Sequence, residues 1–204
     1  MPLIKESSDE LNPTVLTTGV SLARTAGKRG ASDWLALAVA TCGVGYLPLA
    51  PGTWGSGVGV ALYLLFNSLS TRLIADALAR GWSPEALEHT RTSALLLLIF
   101  VLSLAGVWAA SRAESLIGRK DPGAVVIDEV AGQLTAFLFV PKGAGAWVII
   151  SGFLAFRAFD IWKPYPVRRL EALRSGLGIM ADDLLAGAYA ATLVSLLITI
   201  QLWI

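Results

Sequence analysis

The chain has 204 residues, 55% of them hydrophobic and only 15% charged, with a mean hydropathy of +0.65 and a formal net charge of +1. A soluble domain carries about a quarter charged residues, so the deficit points to a lipid environment, and no basic stripe marks a nucleic-acid surface. With one cysteine, Cys42, and one histidine, His89, the chain has no material for an internal disulfide, a Cys/His zinc site or a cysteine-based phosphatase. Any catalytic metal must then be held by oxygen ligands, which favours Mg²⁺ or Mn²⁺.

Residues 1–33 are polar and mixed in charge, without the apolar segment of a secretory signal. They read as a cytoplasmic arm ahead of a membrane-embedded domain, 34–204. Apolar stretches follow at about 34–50, 55–69, 93–110, 123–141, 144–162 and 184–204. Crossing a bilayer takes about 20 residues. The first stretch is short and is separated from the second by Pro48, Pro51, Gly52 and Gly55. It reads as a re-entrant or interfacial helix, the alternative being one tight hairpin made with the second stretch.

Charge decides between the two. Basic residues gather on the cytoplasmic side of membrane proteins. Lys5, Arg24, Lys28 and Arg29 precede the first stretch. Arg112, Arg119 and Lys120 follow the third, and Lys163, Arg168, Arg169 and Arg174 precede the last. All three groups fall on one side if 34–50 does not cross. The expectation is therefore an all-α polytopic membrane helical bundle of about five spans plus a re-entrant or interfacial N-terminal helix, with its C-terminus outside. Gly55 and Gly59, at small-xxx-small spacing, suit close helix packing.

Three motifs carry chemistry. In YLPLAPGTWGSG, Tyr46–Gly57, prolines stop a helix, and Ser56 is expected to cap the next. Amide groups at that helix start, with Gly52, Thr53 and Ser56, suit a phosphate; the plain alternative is a turn with no ligand. In DPGAVVIDEVAGQ, Asp121–Gln133, Asp121 reads as an N-cap and Pro122 as the first helical residue. Asp128 and Glu129 then fall about two turns into a membrane helix. Two adjacent acids there require pairing, hydration or a cation.

The third motif joins FRAFDIWKPYPVRRLE to GIMADDLLAG. Arg157, Asp160 and Lys163 are spaced one turn apart, and Asp182 and Asp183 open the last span. Capping is the structural alternative for these two aspartates. Membrane-surface charge is the alternative for Arg168 and Arg169. In the five-span arrangement all these groups meet at the cytoplasmic surface. Carboxylates holding Mg²⁺, with Arg157, Lys163 and the loop amides offsetting phosphoryl charge, make a metal-phosphate site.

Taken in order, LPLAPGTWGS, VIDEVAGQ, FRAFDIWKPYPVRRLE and GLGIMADDLLAG resemble the phosphatidylglycerophosphatase A family, over about residues 34–200. The resemblance implies an all-α, Mg²⁺-dependent lipid phosphatase of the bacterial inner membrane. It would convert phosphatidylglycerophosphate to phosphatidylglycerol in phospholipid biosynthesis. It also implies site residues: Asp128, Glu129, Asp160, Lys163 and Asp183 as catalytic, Asp128, Glu129, Asp160, Asp182 and Asp183 as metal ligands, and Lys163–Pro164 as the family's Lys-Pro pair. One departure is Ser175, where the family often has glycine. Whether an aspartate attacks phosphorus or serves as base for water stays open. An ion-coupled transporter using the acids as a cation site is the competing class, but no internal repeat supports it. The run characteristic of CDP-alcohol transferases is absent, and His89 lies outside the motifs, which excludes a histidine-dependent phosphatase.

Overall fold

A computed structural model describes residues 29–203. Seven helices follow one another: α1 (Ala31–Thr41), α2 (Pro51–Ala79), α3 (Pro84–Ile117), α4 (Ile127–Ala136), α5 (Ala146–Trp162), α6 (Val167–Leu170) and α7 (Gly176–Trp203), with no strand among the described residues. The all-α expectation holds. Most of the arm, residues 1–28, lies outside the described residues; its last residues, Ala31 to Asp33, form the first turn of α1.

Three helices, α2, α3 and α7, are long and apolar enough to cross a membrane. With 11 residues, α1 reaches only about 16 Å, which suits a helix that does not cross. It lies along α3 and is tied there by Arg112, whose Nη2 stands 2.6 Å from Asp33 Oδ1. That guanidinium, together with the Gly30 amide, holds the Asp33 carboxyl below its usual range.

The stretch 123–141 differs from the expected continuous span. Only Ile127–Ala136 is α-helical, ten residues or about 15 Å. The preceding backbone is engaged elsewhere: the Val126 amide donates to the Ala40 carbonyl at the end of α1, at 2.8 Å. Asp121 therefore does not cap α4; it is exposed in the loop with φ 46°. Beyond α4, a short turn leads to Val140, whose carbonyl accepts a 2.8 Å bond from buried Arg91 of α3.

Two other helix starts also shift. Pro51 begins α2 after Ala50, so Ser56 lies inside the helix, its hydroxyl donating to the Gly52 carbonyl at 2.9 Å. It caps nothing. Helix α7 begins at Gly176, well ahead of residue 184. The Gly176 amide donates to Ser111 Oγ at 3.1 Å, and Ser175 Oγ donates to Glu114 Oε2 at 2.5 Å. Ser175 has φ 51°, a conformation glycine adopts without strain; the Glu114 bond offsets that strain.

Helix α4 is the centre of the bundle, in contact with α1, α2, α3, α5 and α7. Glycines allow the approach. A Cβ on Gly59 would sit 2.7 Å from Gln133 Cβ, and one on Gly132 would sit 2.5 Å from the Phe156 ring and 2.7 Å from the Asp183 carbonyl oxygen. The Gly55–Gly59 pair thus serves packing, as its spacing suggests. Around this core the outer faces stay apolar: Leu64, Leu65, Leu97, Phe100, Leu104, Ile150, Leu154 and Leu196 are all exposed. Such a surface fits a lipid environment.

All seven tryptophans are exposed, and they fall into two bands. Trp34, Trp54, Trp108 and Trp162 lie toward the end where α2 and α7 begin; Trp82, Trp147 and Trp203 lie at the other. From Pro84 to Trp108 along α3 is about 36 Å, comparable to the roughly 30 Å hydrocarbon layer that aromatic belts bracket.

Glycine substitutions should separate packing from propensity. Gly132→Ala is expected to destabilise by about 1–3 kcal/mol through overpacking. Gly57→Ala, whose Cβ meets nothing within 4 Å, should be neutral or stabilising by up to about 1 kcal/mol. Thermal unfolding in detergent measures both; equal effects would contradict the packing assignment.

Candidate active site

Four helix ends meet at one end of the bundle. Asp128 and Glu129 lie in the first turn of α4, where the helix dipole favours negative charge. Asp182 and Asp183 lie the other way round from expectation. They stand about 10 Å inside α7, buried, and so are not caps. The C-terminal end of α5 supplies Arg157 and Asp160, with Lys163 as its left-handed C-cap. The first turns of α2 supply Gly52, Thr53 and Ser56.

The acids divide into two kinds. Asp128, Glu129 and Asp183 place one carboxylate oxygen each within 4.8 Å of the others. Asp128 Oδ1, Glu129 Oε2 and Asp183 Oδ2 are buried without a hydrogen-bond partner. Like charges this close, removed from water, repel unless protonated or bridged by a cation. The donors are all hard oxygens, so the trio fits a metal ion of the Mg²⁺ type.

The other two acids are paired. Asp160 Oδ2 accepts from Arg157 Nη1 at 2.6 Å, and Asp182 Oδ2 accepts from Lys163 Nζ at 2.7 Å. Asp160 still interacts electrostatically with Glu129 and Asp183, so it borders the trio. Asp182 keeps its Oδ1 unpartnered. Lys163 also donates to Glu171 Oε1 at 2.5 Å. Burial works against its charge, but the bonds to Asp182 and Glu171 prevail and push its pKa up. It stays an ammonium at physiological pH.

The α2 turn closes the site from the side. A Cβ on Gly52 would meet Glu129 Oε1 and the Arg157 guanidinium, so a larger residue there would displace both side chains. Arg157 Nη1 also reaches Ser56 Oγ at 3.5 Å. Thr53 is exposed, its amide bonded to the Ala50 carbonyl; of the expected phosphate-binding group it is the one not drawn into the cluster. Burial, and then the Glu129 charge, push the Cys42 thiol pKa up, which disfavours its thiolate.

Two further polar groups accompany these acids. Glu171 shares Lys163, a contact that helical spacing misses because Pro164 breaks the helix between them. Gln133, one turn beyond Glu129, is fully buried with both amide atoms unpartnered. Its place four residues after Glu129 in a membrane helix is the signal that was available.

The sequence model of the phosphatidylglycerophosphatase A family matches residues 37–198. A Bacteroides thetaiotaomicron protein named "Putative phosphatidylinositol-3-phosphatase" is 38% identical over 158 residues, 75% of this chain and 86% of that protein. Proteins named phosphatidylglycerophosphatase A from Haemophilus influenzae and Escherichia coli are 33% and 30% identical over 162 residues, covering 79% and 78% of this chain and 85% and 80% of theirs. No solved structure matches the chain.

The trio implies cation-linked stability. With a divalent cation about 100-fold above its Kd, the protein should gain about 2.7 kcal/mol. Asp128→Asn should reduce that gain while raising the melting temperature in EDTA, by removing one repelling charge. Calorimetry with and without cation reads both shifts; an unchanged cation response in the variant would remove Asp128 from the site.

Proposed function

The chain belongs to the phosphatidylglycerophosphatase A family and is a membrane-embedded phosphatase, and on that premise we propose that it hydrolyses the terminal phosphomonoester of phosphatidylglycerophosphate, giving phosphatidylglycerol and phosphate in phospholipid biosynthesis. The observation that carries this reading is the trio Asp128, Glu129 and Asp183, with Arg157 and Lys163 beside it. Carboxylates alone would repel a phosphate. A hard cation held in their midst would attract one, with Arg157 and Lys163, themselves paired with carboxylates, as further cationic contacts.

Asp128, Glu129 and Asp183 would hold Mg²⁺, with Asp160 and Asp182 at its margin. When bound, the ion would offset most of the trio's charge and polarise the phosphoryl oxygens. In the reaction an oxygen of water bonds to phosphorus, the bond from phosphorus to the terminal glycerol oxygen breaks, and that oxygen takes a proton. Arg157, oriented by Asp160 and Ser56, balances charge on the phosphoryl group as it transfers. Lys163, oriented by Asp182 and Glu171, adds a second positive charge at the site's edge. The Gly52 turn packs directly against Glu129 and Arg157 and so helps to hold both in place. Asp160, oriented by its hydrogen bond from Arg157, is the proposed base for the attacking water.

We place the site at the cytoplasmic face of the bacterial inner membrane. Arg112, Arg119, Lys120, Lys163, Arg168, Arg169 and Arg174 lie toward the site end, against Arg72, Arg80, Arg91 and Lys142 toward the other. That asymmetry fits the positive-inside pattern.

Purified protein should release phosphate from phosphatidylglycerophosphate with Mg²⁺ and stop in excess EDTA; turnover that persists in EDTA would remove the metal from the reaction. Asp128→Asn and Arg157→Gln should each lower kcat at least about 100-fold while the protein still inserts. Wild-type rates in both would exclude this site. A reporter fused after Ile204 should appear outside the cytoplasm, and a cytoplasmic signal would reverse the orientation.

A further inference from the structure

A second cationic surface adjoins the carboxylate site, and its two arginines take no part in the chemistry above. Beyond the end of α5 the chain turns through Pro164 and Tyr165 into the single turn of α6. Val167 is buried there, which leaves Arg168 and Arg169 facing outward. These two arginines, with Trp162, Lys163, Pro164 and Tyr165, line a groove of about 520 Å³.

The groove is built rather than incidental. Arg169 Nη1 donates to the Tyr165 hydroxyl at 3.1 Å, and its guanidinium lies 4.8 Å from the centre of the same ring. Tyr165 is anchored in turn: its carbonyl accepts from the Tyr189 hydroxyl at 3.2 Å, and Tyr189 packs edge-on against Phe159 at 5.6 Å. Among the described residues, neither Arg168 nor Arg169 is paired with a carboxylate. Trp162 and Tyr165 are 70% and 72% exposed, and such amphipathic rings settle at the head-group level of a bilayer.

Lys163 belongs to both places. It lines the groove, and its ammonium contacts Asp182, the neighbour in sequence of Asp183 in the trio. An anion held by the arginines at head-group depth is therefore one side chain away from the cleavage site. Guanidinium groups match the oxygens of a phosphate and stay charged. The proposed substrate carries two phosphates, the monoester to be cut and a diester joining the head group to diacylglycerol, separated by a three-carbon glycerol.

We propose that the groove binds the phosphodiester of the substrate lipid, so that Arg168 and Arg169 determine specificity. They select phospholipids whose cleavable phosphomonoester lies beyond a phosphodiester, against phosphatidate, whose single phosphate is attached directly to diacylglycerol. This rests on the lipid phosphatase reading above. It differs from a general role of the two arginines in topology, which would not discriminate between lipids.

The test compares Arg168→Gln, Arg169→Gln and the double variant with the wild type on phosphatidylglycerophosphate and phosphatidate in mixed micelles. The ratio of kcat/KM for the first lipid over the second should fall about tenfold or more in the double variant, through KM rather than kcat. Arg169→Lys should recover part of the loss. Equal effects on both lipids, or none on either, overturn the proposal. Binding of phosphatidylglycerol, which has the diester and no monoester, is measured in the same micelles. It should weaken about tenfold in the double variant even if the wild type turns over neither lipid. Absent turnover would count against the phosphatase reading alone, whereas unchanged phosphatidylglycerol binding would count against the groove.

Discussion

Three carboxylates, each placing one oxygen within 4.8 Å of the others and each with a buried oxygen that lacks a hydrogen-bond partner, are the constraint around which this molecule is organised. Such an arrangement is unfavourable in itself, because desolvation and mutual repulsion both oppose ionisation. It persists because rigid elements impose it. The start of α4 contributes two acids with some help from the helix dipole, and the interior of α7 contributes the third with none. The two remaining acids carry their own cations. Arg157 and Lys163 neutralise Asp160 and Asp182, leaving the trio as the locus of uncompensated charge, suited to a divalent ion.

The same constraint accounts for the short central helix. An acid pair at the middle of a full-length span would lie deep in hydrocarbon. Starting α4 at Ile127 places the pair at the helix's positive end, near the bundle surface, while the rest of α4 stays dry. The backbone groups released by this arrangement are satisfied inside the protein. Ala40 of α1 takes the Val126 amide at one end, and Arg91 of α3 caps the Val140 carbonyl at the other. Non-helical backbone at membrane depth is tolerated only under such cover. Glycines at positions 52, 55, 59 and 132 then let α2 and α7 approach α4 closely enough to line the site.

Much of the site could be read from the sequence. Acids and bases in apolar surroundings are expensive, so Asp128, Glu129, Arg157, Asp160, Lys163, Asp182 and Asp183 stood out by residue type alone. Their positions along the helices were less legible. Pro122 after Asp121 is a good helix start by local rules, and the actual start five residues later depends on a backbone bond to α1. Asp182 and Asp183 precede a clearly apolar run and so resemble caps, yet α7 extends back to Gly176 because Ser111 and Glu114 of α3 support its first turn. The two acid pairs thereby exchange the depths that periodicity had assigned them. Glu171 was illegible for a related reason: its contact with Lys163 crosses a proline-broken turn, where no fixed spacing applies.

What the sequence by itself determined was the solvent and the chemistry. The shortage of charge pointed to lipid, the distribution of arginine and lysine marked one basic end, and the lack of cysteine and histidine ligands confined any metal to oxygen donors. What only the tertiary structure decided was the division of labour among the carboxylates. Residue type cannot tell a carboxylate that meets an arginine or lysine from one that meets other carboxylates. That difference depends on which side chains from separate helices arrive at the same point, and close packing around α4 sets where they arrive.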